Sequence, residues 1–278
     1  MKRPPSIDRP FFAYGLFRPG QLAFFQLSDL VSAVAEPASV AGSLFLRDGL
    51  PIIDLEGLGS VKGALLSFPP EGIAEAYDRI SAMEPDQHYR WDVAQVDDKL
   101  ANVLVGRSPR KGSVACEEDE WNGWNDPLFT AALDVVEETL KSQDFDWNLK
   151  PLFRLQMAYL LLWSSIERYV SLRYHLSDKV SEKVGQLARE PAFVESLRQH
   201  VTARREVYRA DRPTEKEVLD PEVSERAVRY YYQVRSNITH RGKGVVRDYA
   251  RVKVSLEELL QIFRDVLRAA QRDAKYSA

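Results

Sequence analysis

The sequence predicts an α+β protein in two parts, a small β-rich domain followed by an all-α bundle. Three observations carry this. At 278 residues the chain exceeds one typical domain and suffices for two, each with its own core. The pattern changes from short alternating segments broken by Gly and Pro before residue 115 to long helical periodicities after residue 127. Charge changes too: residues 1–115 carry 12 Lys and Arg against 14 Asp and Glu, residues 116–150 carry 2 against 10, and residues 151–278 carry 24 against 17, netting −2, −8 and +7. The expected division is a domain over 1–115, an acidic linker and connecting helix over 116–150, and a helical bundle over 151–278.

Phe11-Phe12-Ala13-Tyr14 is a run of strand formers that empties into the loop Gly15-Leu16-Phe17-Arg18-Pro19-Gly20. Gly15 is expected at positive φ, turning consecutive backbone N–H groups into one concavity that suits a carboxylate. Ser39 to Leu46 alternates as a strand closed by the turn Arg47-Asp48-Gly49; Leu50 to Asp54 is a short proline-bearing segment, and Gly59 to Phe68 a further strand. From Pro70 to Ile80 the spacing becomes helical, with Ile73, Ala76, Tyr77 and Ile80 on one face. Tyr89 to Val96 and Val103 to Val105 complete the domain as strands.

Six pieces in this order, Tyr14-Gly15, Gly42-Ser43-Leu44-Phe45, Leu50-Pro51, Val61-Lys62-Gly63, Ala82-Met83-Glu84 and Tyr89-Arg90, resemble the pattern of the γ-glutamyl cyclotransferase-like family over about the first 100 residues. The departures are Leu16 and Phe17 in the loop, where the family has Ser or Thr and then Leu, and Pro85 where it has Gly. The resemblance implies a small barrel, a loop of Tyr14, Gly15, Leu16 and Phe17 that grips a γ-glutamyl group, Glu84 as the catalytic carboxylate, and Tyr89 beside it. The chemistry asks for such a residue. Release of 5-oxoproline needs the substrate's α-amine to attack its own γ-carbonyl, so one group must take a proton from the amine and return one to the leaving amine. A carboxylate whose burial raises its pKa toward neutrality does both.

Beyond the acidic stretch, Pro127 opens a helix whose stripe Leu128, Ala132, Val135, Val136 and Leu140 runs to about Lys141. Leu152 to Leu176 reads as a central bundle helix, Ser177-Asp178 caps a second, and Pro191 to about Tyr208 is a third. Asp220-Pro221-Glu222 signals the start of a helix through Val234, and Ser255 with Glu258 a capping box for the last.

The stretch Arg235-Ser236-Asn237-Ile238-Thr239-His240, following such a helix and preceding the Gly-rich Gly242-Lys243-Gly244, resembles the Arg-x4–6-His signature of the HEPN family of helical bundles. That resemblance implies a dimer through the helical half and metal-independent RNA cleavage, with His240 moving protons and Arg235 holding phosphate oxygens. Asn237 orients the phosphate or His240, and Glu167 fixes Arg235. On an ideal helix five residues subtend about 140°, so both side chains reach one phosphate only if the helix ends between them or a second copy shares the site.

Other classes are set aside by composition. One cysteine, Cys116, allows no internal disulfide or Cys-rich zinc site, and His88, His175, His200 and His240 lack ligand spacing, so neither metal nor cofactor is expected. The apolar run Ala158–Trp163 is too short to cross a bilayer, and Met1-Lys2-Arg3-Pro4-Pro5 leads into no signal region, so a cytoplasmic protein without membrane partners is expected. The sequence therefore points to a γ-glutamyl cyclotransferase-like enzyme carrying a dimeric helical domain directed at RNA. Its alternatives are a non-catalytic sensor of a small amino-acid derivative that regulates the helical half, and a plain interaction scaffold.

Overall fold

The structure is a computed structural model that describes residues 1–121, 127–142, 149–174, 179–209, 212, 214–241 and 246–276; within these, side chains are described for all except 149, 180, 240–241, 246–248 and 274–276. The chain divides into two compact units, residues 1–128 with 271–278, and residues 129–270.

The first unit contains β1 (Phe11–Ala13), β2 (Ala33–Ala41), β3 (Ser43–Arg47), β4 (Leu50–Asp54), β5 (Ser60–Ser67), α1 (Ile73–Met83), β6 (Tyr89–Val96), β7 (Lys99–Gly106) and β8 (Val114–Ala115). Five of these strands close a barrel in the order β1-β5-β2-β6-β7. Closure depends on β1, which pairs antiparallel with β5 and parallel with β7. Its residues Phe11, Phe12 and Ala13 are all buried, as a strand flanked on both sides and covered on both faces requires. Phe12, Tyr14, Val40, Ile53, Val61 and Val103 pack one cluster with Trp121, so the acidic stretch expected as a linker is partly tied to this unit. Backbone bonds make the same tie: Lys62 N–H donates to Asp119 O, and Cys116 N–H to Leu44 O.

The single strand expected over Ser39–Leu46 is two strands in two sheets. The break is Gly42, at φ 154, where a side chain would also meet the Asp54 carbonyl at 2.8 Å. After it the chain leaves the barrel and builds a three-stranded sheet, β4-β3-β8. The β3–β4 hairpin turns through Asp48 and Gly49, both at positive φ (53° and 78°), the conformation whose twist matches flanking strands.

The second unit holds most of α2 (Pro127–Lys141), then α3 (Leu149–Arg173), α4 (Val180–Leu187), α5 (Pro191–His200), β9 (Arg205–Tyr208), β10 (Lys216–Leu219), α6 (Ser224–Arg241) and most of α7 (Val246–Tyr276). Large aromatic side chains fill it: Phe129, Tyr159, Tyr169, Phe193, Tyr230, Tyr231 and Phe263 are almost fully buried.

Three expectations for this unit are corrected. It is not all-α: the helix from Pro191 stops at His200, and Arg205–Tyr208 pairs antiparallel with Lys216–Leu219. Each segment is only four residues long, two charged residues followed by two apolar or aromatic ones, Arg205-Glu206-Val207-Tyr208 and Lys216-Glu217-Val218-Leu219, too short for a period to separate strand from helix. Asp220 does not cap α6 directly; its carboxylate accepts from the Glu222 N–H in a local turn, and the helix begins at Ser224. Nor do Ser255 and Glu258 cap a helix. They lie inside α7, where Ser255 Oγ is 3.3 Å from the Tyr230 hydroxyl, and Glu258 takes hydrogen bonds from Arg205 and Tyr231. A capping-box spacing also suits two buried polar residues facing one way, about a sixth of a turn from eclipsed. The expected cap Ser177-Asp178 lies outside the described residues.

Candidate functional site

In the first unit the site is set by where α1 stops. Its apolar face, Ala76, Tyr77 and Ile80, is buried, and the helix ends with Glu84 as C-cap in an extended conformation (φ −99, ψ 123). Pro85 then starts a tight turn, its carbonyl accepting from the N–H groups of His88 and Tyr89, and Tyr89 begins β6. A proline cannot continue the ladder of α1, so Glu84 and Tyr89 emerge at opposite ends of one short turn, both half-buried.

Electrostatics link this turn to the first loop. Burial pushes the Tyr89 phenol up, and the nearby Glu84 carboxylate pushes it further, while Arg47 draws it back. Tyr14, the last residue before Gly15, is pushed well above its ordinary range by burial, then by Tyr89 and Glu84. Glu84, Tyr89 and Tyr14 therefore share one neighbourhood at the barrel end where β1 empties into its loop.

The four loop residues differ in what they offer. The Tyr14 hydroxyl donates to Leu104 O at 2.6 Å and accepts from Ile53 N–H at 3.3 Å, tying β1 to β7 and β4. Its side chain is a strut in the core, with its donor already spent. Phe17 is buried with its ring edge-on to Phe11, and Leu16 packs against the barrel core, so neither presents an exposed polar group. Gly15 is not at positive φ, contrary to expectation; the glycine is required because a side chain there would meet Pro51 Cγ at 2.8 Å. The positive φ of this loop belongs to Gly20, at 83°. The turn is closed by Arg18 N–H to Gly15 O and Gln21 N–H to Arg18 O, and the Leu16 and Phe17 N–H groups have no backbone acceptor among the described residues.

Arg47 is the residue that sequence reading assigned only to a turn. Its guanidinium donates to Ser108 O at 2.6 Å and Lys111 O at 2.8 Å and to Ser113 Oγ at 3.2 Å, which fixes it beside Tyr89. It ends β3, with two residues between it and the Leu50-Pro51 segment, a position with no local signal of such a role. Arg18, by contrast, points away to Glu36 and Glu120, at 2.6 and 2.8 Å.

In the second unit, Arg235 lies on α6 with Nη2 3.8 Å from Glu167 Oε1, which itself accepts from Trp163 Nε1 at 2.8 Å. Asn237 accepts from Gln233 Nε2 and donates to Tyr208 O, both at 2.8 Å, so it is engaged in joining α6 to β9. The helix continues unbroken to Arg241, which leaves positions 235 and 240 about 140° apart around one axis. The His240 side chain lies outside the described residues. Among the described residues no group of three or more His, Cys, Asp or Glu is placed to hold a metal ion, and no helix is long and apolar enough to cross a membrane.

Comparison with known proteins adds little. No family model matches the chain, and no curated protein matches it. Among solved structures, an uncharacterized protein, PH0828, from Pyrococcus horikoshii is similar at 17% identity, over 41% of this chain and 90% of that one, with a TM-score of 0.34. A likeness that slight carries no argument about fold or activity.

Proposed function

We propose that the first unit is a γ-glutamyl cyclotransferase-like enzyme that releases 5-oxoproline from γ-glutamyl amides. One observation carries the reading: Glu84, at the end of α1, lies close enough to Tyr89 and to Tyr14, the residue before the Gly15 loop, to raise both phenols beyond what burial does. In this reading the Leu16 and Phe17 N–H groups take the substrate's α-carboxylate. Glu84 accepts a proton from the α-ammonium, the freed amine attacks the γ-carbonyl to form the ring C–N bond, and the carboxylic acid returns the proton as the amide C–N bond breaks. Arg47 supplies the positive charge on the Tyr89 side. A panel of γ-glutamyl amides with wild type and Glu84→Gln tests it. Release by wild type and a loss of about a thousandfold or more in the variant is expected. Ligand binding without release by wild type would turn the reading to a sensor.

For the second unit we propose an RNA-directed role. What supports it is the Arg235 guanidinium, which meets Glu167 only at 3.8 Å and so keeps its donors for a phosphate. Cleavage through Arg235 and His240 requires two copies of α6, given their angular separation, and cleaving wild type beside inactive His240→Ala is the expected outcome.

A further inference from the structure

Between α4 and α6 lies an open groove of about 530 Å³, within the range of about 300–1,000 Å³ that small-ligand sites occupy. Val184 of α4, Ala188 just after its end and Val228 of α6 give it an apolar floor. Arg229 and Tyr232 line it from α6, and Tyr232 is 41% exposed although Tyr230 and Tyr231 beside it are buried. The exposed ring is nonetheless held: Trp163 packs on it at 61° with centroids 5.8 Å apart, and Arg235 Cζ lies 5.9 Å from its centroid.

Arg229 and Arg235 stand three residues before and after Tyr232, so each neighbours the ring from about 60° around α6, and the two arginines diverge from each other by about 120°. At 1.5 Å per residue the two arginines are about 9 Å apart along the helix, with the aromatic ring between them. Neither is tightly engaged, since Arg229 meets Glu217 at 3.7 Å and Arg235 meets Glu167 at 3.8 Å. Cation, exposed ring, cation at that spacing complements phosphate, base, phosphate. The carboxylates Glu182 and Glu225 also line the groove, Glu225 seven residues before Tyr232, which confines an anionic strand to the Tyr232 end.

We propose that the Tyr232 end of this groove binds single-stranded nucleic acid, one base stacked on Tyr232 and the phosphates on either side of it held by Arg229, which lines the groove, and by Arg235, which stands beside the ring beyond the groove's lining. Stacking asks for an unpaired base, and every base has a face, so binding tolerates sequence and rejects duplex. The proposal is independent of the cyclotransferase reading and of cleavage: a chain that binds without cutting satisfies it, and His240→Ala keeps it.

The test is fluorescence anisotropy on the full chain with labelled oligo(U) and oligo(dT) of about ten nucleotides and a duplex of equal length, over a salt series. Wild type is expected to bind one or both single strands and to bind the duplex weakly; which single strand binds better identifies RNA or DNA as the source. Tyr232→Ala and Tyr232→Leu should weaken binding about tenfold or more, and Tyr232→Phe should retain it. Arg229→Gln should reduce the salt slope by about one. Should Tyr232→Ala fail to fold, judged by its melting, the Leu and Phe pair decides, because both keep the packing against Trp163. No binding by wild type, equal affinity in Tyr232→Leu, or tighter binding of duplex overturns the proposal. So does a change of oligomeric state in Tyr232→Leu without any oligonucleotide binding, which marks the groove as a protein interface.

Discussion

Gly15 is held not by its own dihedral angles but by Pro51, whose ring leaves 2.8 Å for the first atom of any side chain. Gly15→Ala should therefore push the loop and Pro51 apart, costing about 1–3 kcal/mol by overpacking and displacing the Leu16 and Phe17 N–H groups. Thermal melting checks the first effect, and a larger fold rise in KM than fold fall in kcat the second, since a misplaced carboxylate cradle weakens substrate hold before it alters Glu84. Tyr14→Phe isolates the strut. It removes the hydroxyl that bridges Leu104 O and Ile53 N–H, both in the core, and should cost about 1–3 kcal/mol while leaving residual 5-oxoproline release. Loss of all turnover with unchanged melting would assign Tyr14 to the chemistry instead. These roles were half legible. A Tyr-Gly pair before a loop is visible in sequence, but which of its atoms are spent on the core is decided by β4 and β7.

At the scale of elements, the hairpin of β9 and β10 is tied to α7 by Arg205, which bonds Glu258, and the same carboxylate ties α7 to α6 by accepting from the Tyr231 hydroxyl at 3.1 Å. Burial raises the Glu258 carboxyl despite the hydrogen bond and charge of Arg205. Removing Arg205 leaves a buried carboxylate with its charge uncompensated, so Arg205→Met should destabilise by about 3 kcal/mol, and Arg205→Met with Glu258→Leu should recover most of it. Urea unfolding of the single and double variants reads this directly. A second tie joins α2 to α7: Glu137 is held at about 2, against an ordinary 4.5, by hydrogen bonds from Lys141 and then Arg264. Its folded value is depressed, so the unfolded chain binds more protons, and the contribution is complete above about 4.5 and lost as pH falls toward 2. Carboxyl NMR should place the Glu137 midpoint near that value and move it upward in Lys141→Gln and in Arg264→Gln; salt should move it the same way.

For the whole molecule, the enzyme and sensor readings differ in whether the two units are coupled. If the barrel unit is an independent enzyme, Tyr232→Leu leaves 5-oxoproline release unchanged and Glu84→Gln leaves oligonucleotide affinity unchanged. If it is a sensor, a γ-glutamyl compound shifts that affinity, and by reciprocity the oligonucleotide shifts binding of the compound by the same factor. Parallel titrations with and without the second ligand distinguish these outcomes. The two-part layout itself was legible from the change of period near residue 115, yet the division falls at residue 128, because Trp121 and the backbone around Asp119 are held by barrel residues distant in sequence.

By itself the sequence determined the elements whose period is strong and local: α1 with its buried face, β6 over Tyr89–Val96, and α2 from Pro127 to Lys141. It also placed Glu84 at a helix end followed by a proline. Tertiary structure decided the rest. Barrel closure rests on a three-residue strand finding both β5 and β7, a pairing that no local pattern encodes. Ser255 and Glu258 became core partners because β9 supplies Arg205 and α6 supplies Tyr230 and Tyr231. Tyr232 stayed exposed while its two neighbours were buried because successive residues on a helix point about 100° apart, and only the packing of α6 selects which direction meets solvent.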